Sequence, residues 1–387
     1  MKIFKVYFLC ATSTENRIKK LKKFDCGRFR VRRIYMTKIT KSVFDKMPDG
    51  REVYAYTFAD GDKSMKVLSL GGIIQSLVLP DKDGRPTDVL LGYDTVKGYL
   101  ENGGYLCALI GRFGNRIDKG HLEIDGKTYS LYINDRNNHL HGGKEGFDKK
   151  LWDGKIDGDK LELSLFSPDG EENYPGNLKV TVVYTFSDGV LGIEYTAVSD
   201  KKTAINLTNH AYFNLSGEGD KCTILDHELF LDAPYIAPTD SELIPHGEFL
   251  SVKDTPFDFT TAKEVGKDDG QRTTNRDLSY GGGYDHCFIF DKNRDVSEPY
   301  GILYSPKSGI EMKCYTDMPA VQFYAGNGLD QTGKKGHYYG RCGGLCLETQ
   351  AIPNNVNVPA YAEYGSSIVP AGQVYHFTAR YAFGIRK

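Results

Sequence analysis

Residues 179–198 read KVTVVYTFSDGVLGIEYTAV. Apolar and polar side chains alternate on both sides of Ser187-Asp188-Gly189. A period of two is the signature of a half-buried strand, and an Asp-Gly pair between two such runs predicts a hairpin, because the turn needs positive φ. The same pattern recurs outward along the chain. Glu52 to Leu70 predicts two strands around Asp60-Gly61, with Val53, Phe58, Val67 and Leu70 among the apolar positions. Leu122 to Ile133 predicts a hairpin about Asp125-Gly126. Helical signals are sparse, and only Thr95 to Leu100 and Phe259 to Val265 suggest short helices. Strand signals run on to Phe383 with no Pro/Gly/Ser linker after Met36 and no internal repeat. The expected fold is all-β: one large antiparallel β-sandwich over residues 36–387, with few short helices.

Composition agrees. Of 387 residues, 26 are Tyr, 20 Phe and 43 Gly, a mix that suits strands and turns better than a helical bundle. Tyr-rich surfaces also suit sugars, whose C–H faces pack on rings while hydroxyls take hydrogen bonds. No run approaches the roughly 20 apolar residues that span a bilayer, so no membrane partner is expected. The net charge of −2 is uneven. Residues 1–35 carry a balance of +9, with 11 Lys/Arg against 2 Asp/Glu, and the remainder carries −11. An acidic body argues against nucleic acid as the partner.

Met1 to Ala11 is basic and then apolar, like a clipped signal peptide, but Val6 to Ala11 is short for a signal core. Residues 1–35 are read as a basic extension: a tail, a targeting segment or the product of an upstream start codon, with Met36 beginning a natural-looking N-terminus. The eight cysteines are irregularly spaced. Cys342 and Cys346 have no CxxC partner for zinc, and the pattern reads as reduced thiols in a cytoplasmic protein. The signal-like start leaves secretion or a periplasmic location as the alternative.

Five segments carry candidate chemistry. Gly111-Arg112-Phe113-Gly114-Asn115-Arg116 places two arginines three apart in a Gly-flanked loop, either presenting donor forks to oxygens or forming structural salt bridges. In Asn138-His139-Leu140-His141-Gly142-Gly143, a strand would point His139 and His141 to one face. With Glu145 these resemble a cupin metal motif, but Ile133 stands where that motif has glycine, and no metal is expected. Asn206-Leu207-Thr208-Asn209-His210-Ala211-Tyr212-Phe213-Asn214-Leu215 sets His210 among hydrogen-bonding groups that can fix a tautomer and move a pKa, or is a turn-forming Asn cluster. Gly282-Gly283-Tyr284-Asp285-His286 offers a carboxylate as a hydroxyl acceptor or a turn cap. In Gly343-Gly344-Leu345-Cys346-Leu347-Glu348-Thr349-Gln350 an apolar strand ends in a carboxylate, and Glu is seldom buried unless paired or functional. No nucleophile elbow, P-loop or dinucleotide fingerprint accompanies them. What remains is proton transfer on a polar neutral substrate.

From about Met36 onward the chain resembles the galactose mutarotase (aldose 1-epimerase) family. The matching segments come in order: GRFGNRI, NHLHGG, NLTNHAYFNL, GYDH, PAVQFYAGN, and CLETQ followed by Pro353. The resemblance implies a β-sandwich with an open cleft, no cofactor, a small aldose as substrate and a monomer or homodimer. It implies an isomerase that interconverts the α and β anomers of free hexoses such as glucose and galactose. It makes Glu348 the general base, His210 the general acid, and His141 a group against the sugar near its ring oxygen. Arg112, Asn115 and Asp285 are its implied sugar-binding residues. The chain departs from the family at Phe113-Gly114 and at Asp135-Arg136-Asn137, beside binding positions.

The chemistry fits these residue types. Anomerisation needs the C1 hydroxyl deprotonated and the ring oxygen protonated, which one carboxylate and one imidazolium supply. From ordinary side-chain pKa values, Glu348 is expected ionised and His210 protonated in the active form. Asp285 with Glu348 makes a glycosidase the competing enzyme class, and a non-catalytic carbohydrate-binding module is the competing non-enzyme class.

Overall fold

Leu178–Ser187 and Val190–Ser199 pair antiparallel through a two-residue turn, with Asp188 and Gly189 at φ of 51° and 72°. Two positive φ values in succession give the turn the twist of its flanking strands. Leu178, Val180, Val182, Tyr184 and Phe186 are buried on one face, opposite Leu191, Ile193, Tyr195 and Ala197 of the partner strand. Each large apolar side chain buried this way contributes about 1.5–3 kcal/mol. The other two expected hairpins form as Glu52–Asp60 with Lys63–Leu68, and His121–Ile124 with Lys127–Ser130.

The structure is a computed structural model that describes residues 37–386. The expectations for residues 1–35 lie outside the described residues. The first hairpin sits inside a nine-stranded antiparallel sheet. Its order is Asp153–Asp157, Lys160–Ser167, Leu178–Ser187, Val190–Ser199, Val374–Ile385, Ile310–Thr316, Gly301–Tyr304, Glu228–Leu231 and Lys263–Glu264. Two five-stranded sheets accompany it. One runs in chain order from Lys38–Lys46 to Pro86–Asp88. The other is ordered Leu250–Ser251, Tyr235–Ala237, Asp285–Ile289, Ala320–Tyr324 and Cys346–Gln350. Inward side chains from all three sheets, among them Phe58, Tyr184 and Phe323, belong to one continuous apolar core. The fold is the expected β-sandwich.

Thr95 caps the short helix Val96–Glu101, its Oγ1 accepting the Gly98 N–H. The helix expected over Phe259–Val265 does not form there. Lys263–Glu264 pairs with Glu228–Leu229 at the edge of the large sheet, and a 3₁₀ segment begins only at Val265 and runs to Thr273. Thr260 and Thr261 are poor helix formers, and the edge strand needs backbone partners. No helix among the described residues is long and apolar enough to cross a membrane.

Candidate active site

Sheet register assembles most of the site. In Cys346–Gln350, Gln322 lies opposite Glu348 and Tyr324 opposite Cys346. On the next strand, Cys287 lies opposite Gln322 and Asp285 opposite Tyr324. Side chains two apart share a face, so Glu348, Gln322, Cys346, Tyr324 and Asp285 project from one side of the sheet. The intervening Leu347, Phe323, Val321 and Phe288 enter the core on the other side. Gln322 Nε2 donates to Asp285 Oδ1 at 2.7 Å. Glu348 is 2% exposed, and its Oε2 has no hydrogen-bond partner. A buried carboxylate oxygen without a donor is costly when charged.

His210 arrives from another element. Thr208–Asn209 pairs with Leu109–Ile110, the His210 N–H donates to the Ala108 carbonyl, and the His210 carbonyl accepts from the Cys107 N–H. With its backbone held on both sides, the imidazole brings Nε2 to 3.6 Å from Glu348 Oε1. Its Nδ1 lies 3.3 Å from Cys346 Sγ, and its ring stacks on Tyr212 and Tyr105 at 5.0 and 5.9 Å between centroids.

His141 closes the third side, 5.3 Å from the His210 ring in an edge-on arrangement. The Asn115 backbone N–H donates to His141 Nδ1 at 3.1 Å. An amide N–H only donates, so Nδ1 is the acceptor and the ring proton sits on Nε2. His141 is thereby a neutral Nε2–H donor. Gly142 makes its position possible: a Cβ there would stand 1.8 Å from the Gly111 carbonyl oxygen, at φ of 89°.

The electrostatics of the pocket are dominated by burial. Burial pushes the Glu348 carboxyl well above the ordinary carboxylate range; the Asp285 charge pushes the same way and Arg116 opposes. Burial pulls His210 down to about 4 and His141 well below its ordinary value, the latter also through His210 and Arg116. Burial works against the charged pair expected in the active form, Glu348 anionic and His210 cationic. Desolvation favours the tautomer with the proton on Glu348 and His210 neutral, and both tautomers hold the same number of protons.

The structure brings Glu348, His210, His141 and Asp285 together, with Asn115 beside them through its backbone. It does not bring Arg112. That guanidinium is 2% exposed, and all five N–H groups are taken by Ser167 Oγ and the carbonyls of Ser167, Pro168, Pro175 and Gly176, at 2.8 to 3.2 Å. The expected sugar-binding role of Arg112 is corrected to a structural one, because no donor remains to offer. Arg116 pairs with Leu140, the residue before His141, and its Nη groups have no hydrogen-bond partner among the described residues. Spacing alone does not say which of two arginines three residues apart turns inward.

His139 and His141 also part company. Only His139–Leu140 is strand, and φ of 51° at His141 breaks the alternation. His139 turns to the Tyr132 carbonyl and the Tyr174 hydroxyl, and Glu145 lies exposed on the following turn. The cupin-like trio is thus not assembled. A different trio is: the donor atoms of His141, His210 and Glu348 lie within 4.8 Å of one another, close enough to capture a metal ion. Gln322, Tyr105, Tyr212 and Tyr324 join the site without being among the residues the sequence singles out. For Gln322 a signal existed, a polar residue between Val321 and Phe323 in a strand-like run.

The sequence profile of the family described as aldose 1-epimerase matches residues 54–382. The galactose mutarotase of Bos taurus is 39% identical over 353 residues, covering 90% of this chain and all of that protein. The aldose 1-epimerase of Escherichia coli (strain K12) is 34% identical over 344 residues, covering 87% of this chain and 96% of that one. The crystal structure of the GalM/aldose epimerase homologue from C. elegans superposes with a TM-score of 0.78 at 27% identity, covering 91% of this chain and all of that one. The pocket built on Glu348 and His210 lies within the matched residues, and the chain belongs to the aldose 1-epimerase family.

Proposed function

We propose that this protein is a mutarotase acting on free hexoses, galactose and glucose among them, and that residues 36–387 are its catalytic unit. The observation that carries the reading is the buried Glu348–His210 pair, 3.6 Å apart, flanked by the fixed donor His141. In the ring-opening step Glu348 takes the C1 hydroxyl proton, the C1–O1 double bond forms and the C1–O5 bond breaks. His210 delivers its proton to O5. The C1–C2 bond rotates, and closure on the other face returns both protons. After opening, the proton sits on Glu348 and His210 is neutral, the tautomer that burial favours. The step starts from the charged pair that burial disfavours, so reaching that pair is part of the barrier.

His141 Nε2–H and the Arg116 guanidinium supply donors for sugar oxygens, and Asp285, held by Gln322, accepts from hydroxyls. Tyr105, Tyr212 and Tyr324 pack around the His210 ring and hold it in place. A binding module would need neither an acid nor a base. Polarimetry of freshly dissolved α-D-galactose tests the reading: protein should speed the decay of rotation to its equilibrium value. A decay rate unaffected by protein would refute it.

A further inference from the structure

Arg116 does not reach the site unaided. Its Nε–H donates to Asp135 Oδ2 at 2.7 Å, and the two side chains are 11% and 22% exposed. This bond at Nε restrains the guanidinium and leaves both Nη groups without a hydrogen-bond partner among the described residues. Arg116 pairs with Leu140 in the short ladder of Arg116–Ile117 with His139–Leu140, so its backbone runs beside the His141 segment.

The loop carrying Asp135 is tied on both sides. Toward the site, Asn134 Oδ1 accepts from the Leu140 N–H, and Asn134 Nδ2 donates to the Leu140 and Gly143 carbonyls, spanning the His141 segment. Away from it, Glu242 accepts from the Asn137 and Asn138 side-chain amides at 2.6 and 3.0 Å, and Arg136 donates to the Ser241 carbonyl. Within the loop, the Asp135 and Asn138 backbones bond each other in both directions. A surface loop with this many side-chain ties is set in one conformation, and Asp135 is its inward-facing charge.

We propose that Asp135 is a positioning residue of the sugar site: it aims the Arg116 fork at the bound hexose, and the Glu242 strap holds it there. The inference rests on the mutarotase reading but is tested by binding, so the two fail separately. The experiment measures hexose Kd by equilibrium titration, KM and kcat by polarimetry, and Tm, for the full chain, Asp135→Ala, Asp135→Asn, Arg116→Ala and the double alanine variant. Asp135→Ala should raise Kd and KM about tenfold while kcat changes less than about threefold, the worth of one charge-assisted hydrogen bond to a binding group. Asp135→Asn keeps an oxygen for Nε–H and should recover most of the loss. In the Arg116→Ala background Asp135→Ala should add nothing, because the two act as one unit. Parental Kd and KM in folded Asp135→Ala would overturn the proposal. So would losses that simply add in the double variant, or a loss in Asp135→Ala that tracks Tm and is not relieved by asparagine. Absence of hexose binding to the parent protein would instead sink the mutarotase reading.

Discussion

Glu348 Oε1 and His210 Nε2 lie 3.6 Å apart in a pocket where the two side chains are only 2% and 6% exposed. Each group is pushed by burial toward its uncharged form, and in the proposed mechanism the two share one mobile proton. Activity requires that single-proton state. Doubly protonated, the pair has no base; fully deprotonated, it has no acid. The kcat profile should therefore be bell-shaped, with limbs that belong to the pair rather than to either residue. Glu348→Gln should abolish the bell in whatever activity remains. A flat parental profile from pH 4 to 9 would contradict shared-proton chemistry.

Stability should carry the same signature. The folded Glu348 carboxyl titrates well above the unfolded one, at about 4.3. Its contribution is fully present below that unfolded value and is lost as pH rises toward the folded pKa. Glu348→Gln removes the group, so the Tm of the variant relative to the parent should rise between about pH 5 and pH 8. Differential scanning calorimetry at matched ionic strength measures this, and a difference independent of pH would mean that Glu348 is not desolvated as described.

Arg112 and Arg116 should separate cleanly. Arg112→Ala strands four buried carbonyls and a hydroxyl, which should cost roughly 3 kcal/mol or more and lower Tm by several degrees. Arg116→Ala and Asp285→Asn should instead raise KM with Tm nearly unchanged. The opposite pattern, with KM moved only by Arg112→Ala, would return Arg112 to the sugar.

The metal behaviour follows from geometry. Prolonged chelation should leave the rate unchanged, since no step described above uses an ion. Excess Zn²⁺ should inhibit, and hexose should protect, because His141, His210 and Glu348 can close on a metal where the sugar reacts. A rate that falls on chelation and returns only with added divalent metal would overturn this.

A protein beginning at Met36 should fold and turn over sugar as the full chain does. The basis is the basic, poorly patterned composition of residues 1–35 against a strand pattern that starts after them. Far-UV circular dichroism and polarimetry of the shortened protein decide it; failure to fold would make the extension part of the domain.

The hairpins were legible because Asp188-Gly189 and Asp125-Gly126 state their own turn geometry and the flanking alternation states the buried face. Glu348 and His210 were legible as chemistry out of place, a carboxylate directly after an apolar run and an imidazole among amides, although the strand expected to end at Glu348 continues to Gln350. What sequence could not supply was orientation. Whether Arg112 or Arg116 turns inward depends on which one finds five acceptors in the Ser167 and Gly176 loops, more than fifty residues away. That His139 and His141 diverge depends on one positive φ, which the following Gly142 permits by letting the chain pass the Gly111 carbonyl. Gln322 and Asp285 meet only through the register of two strand pairs. Each miss is a long-range contact that local pattern does not encode.

The central claim is that Glu348 and His210 perform the proton transfers. Its most direct test is kcat by polarimetry of fresh α-D-galactose for Glu348→Gln and His210→Asn, beside hexose Kd and Tm. Positioned acid–base groups contribute typically about 10²–10⁴-fold, so each variant should lose at least about 100-fold in kcat while binding sugar and staying folded. A folded variant of either residue that turns over galactose at near-parental kcat would contradict the account.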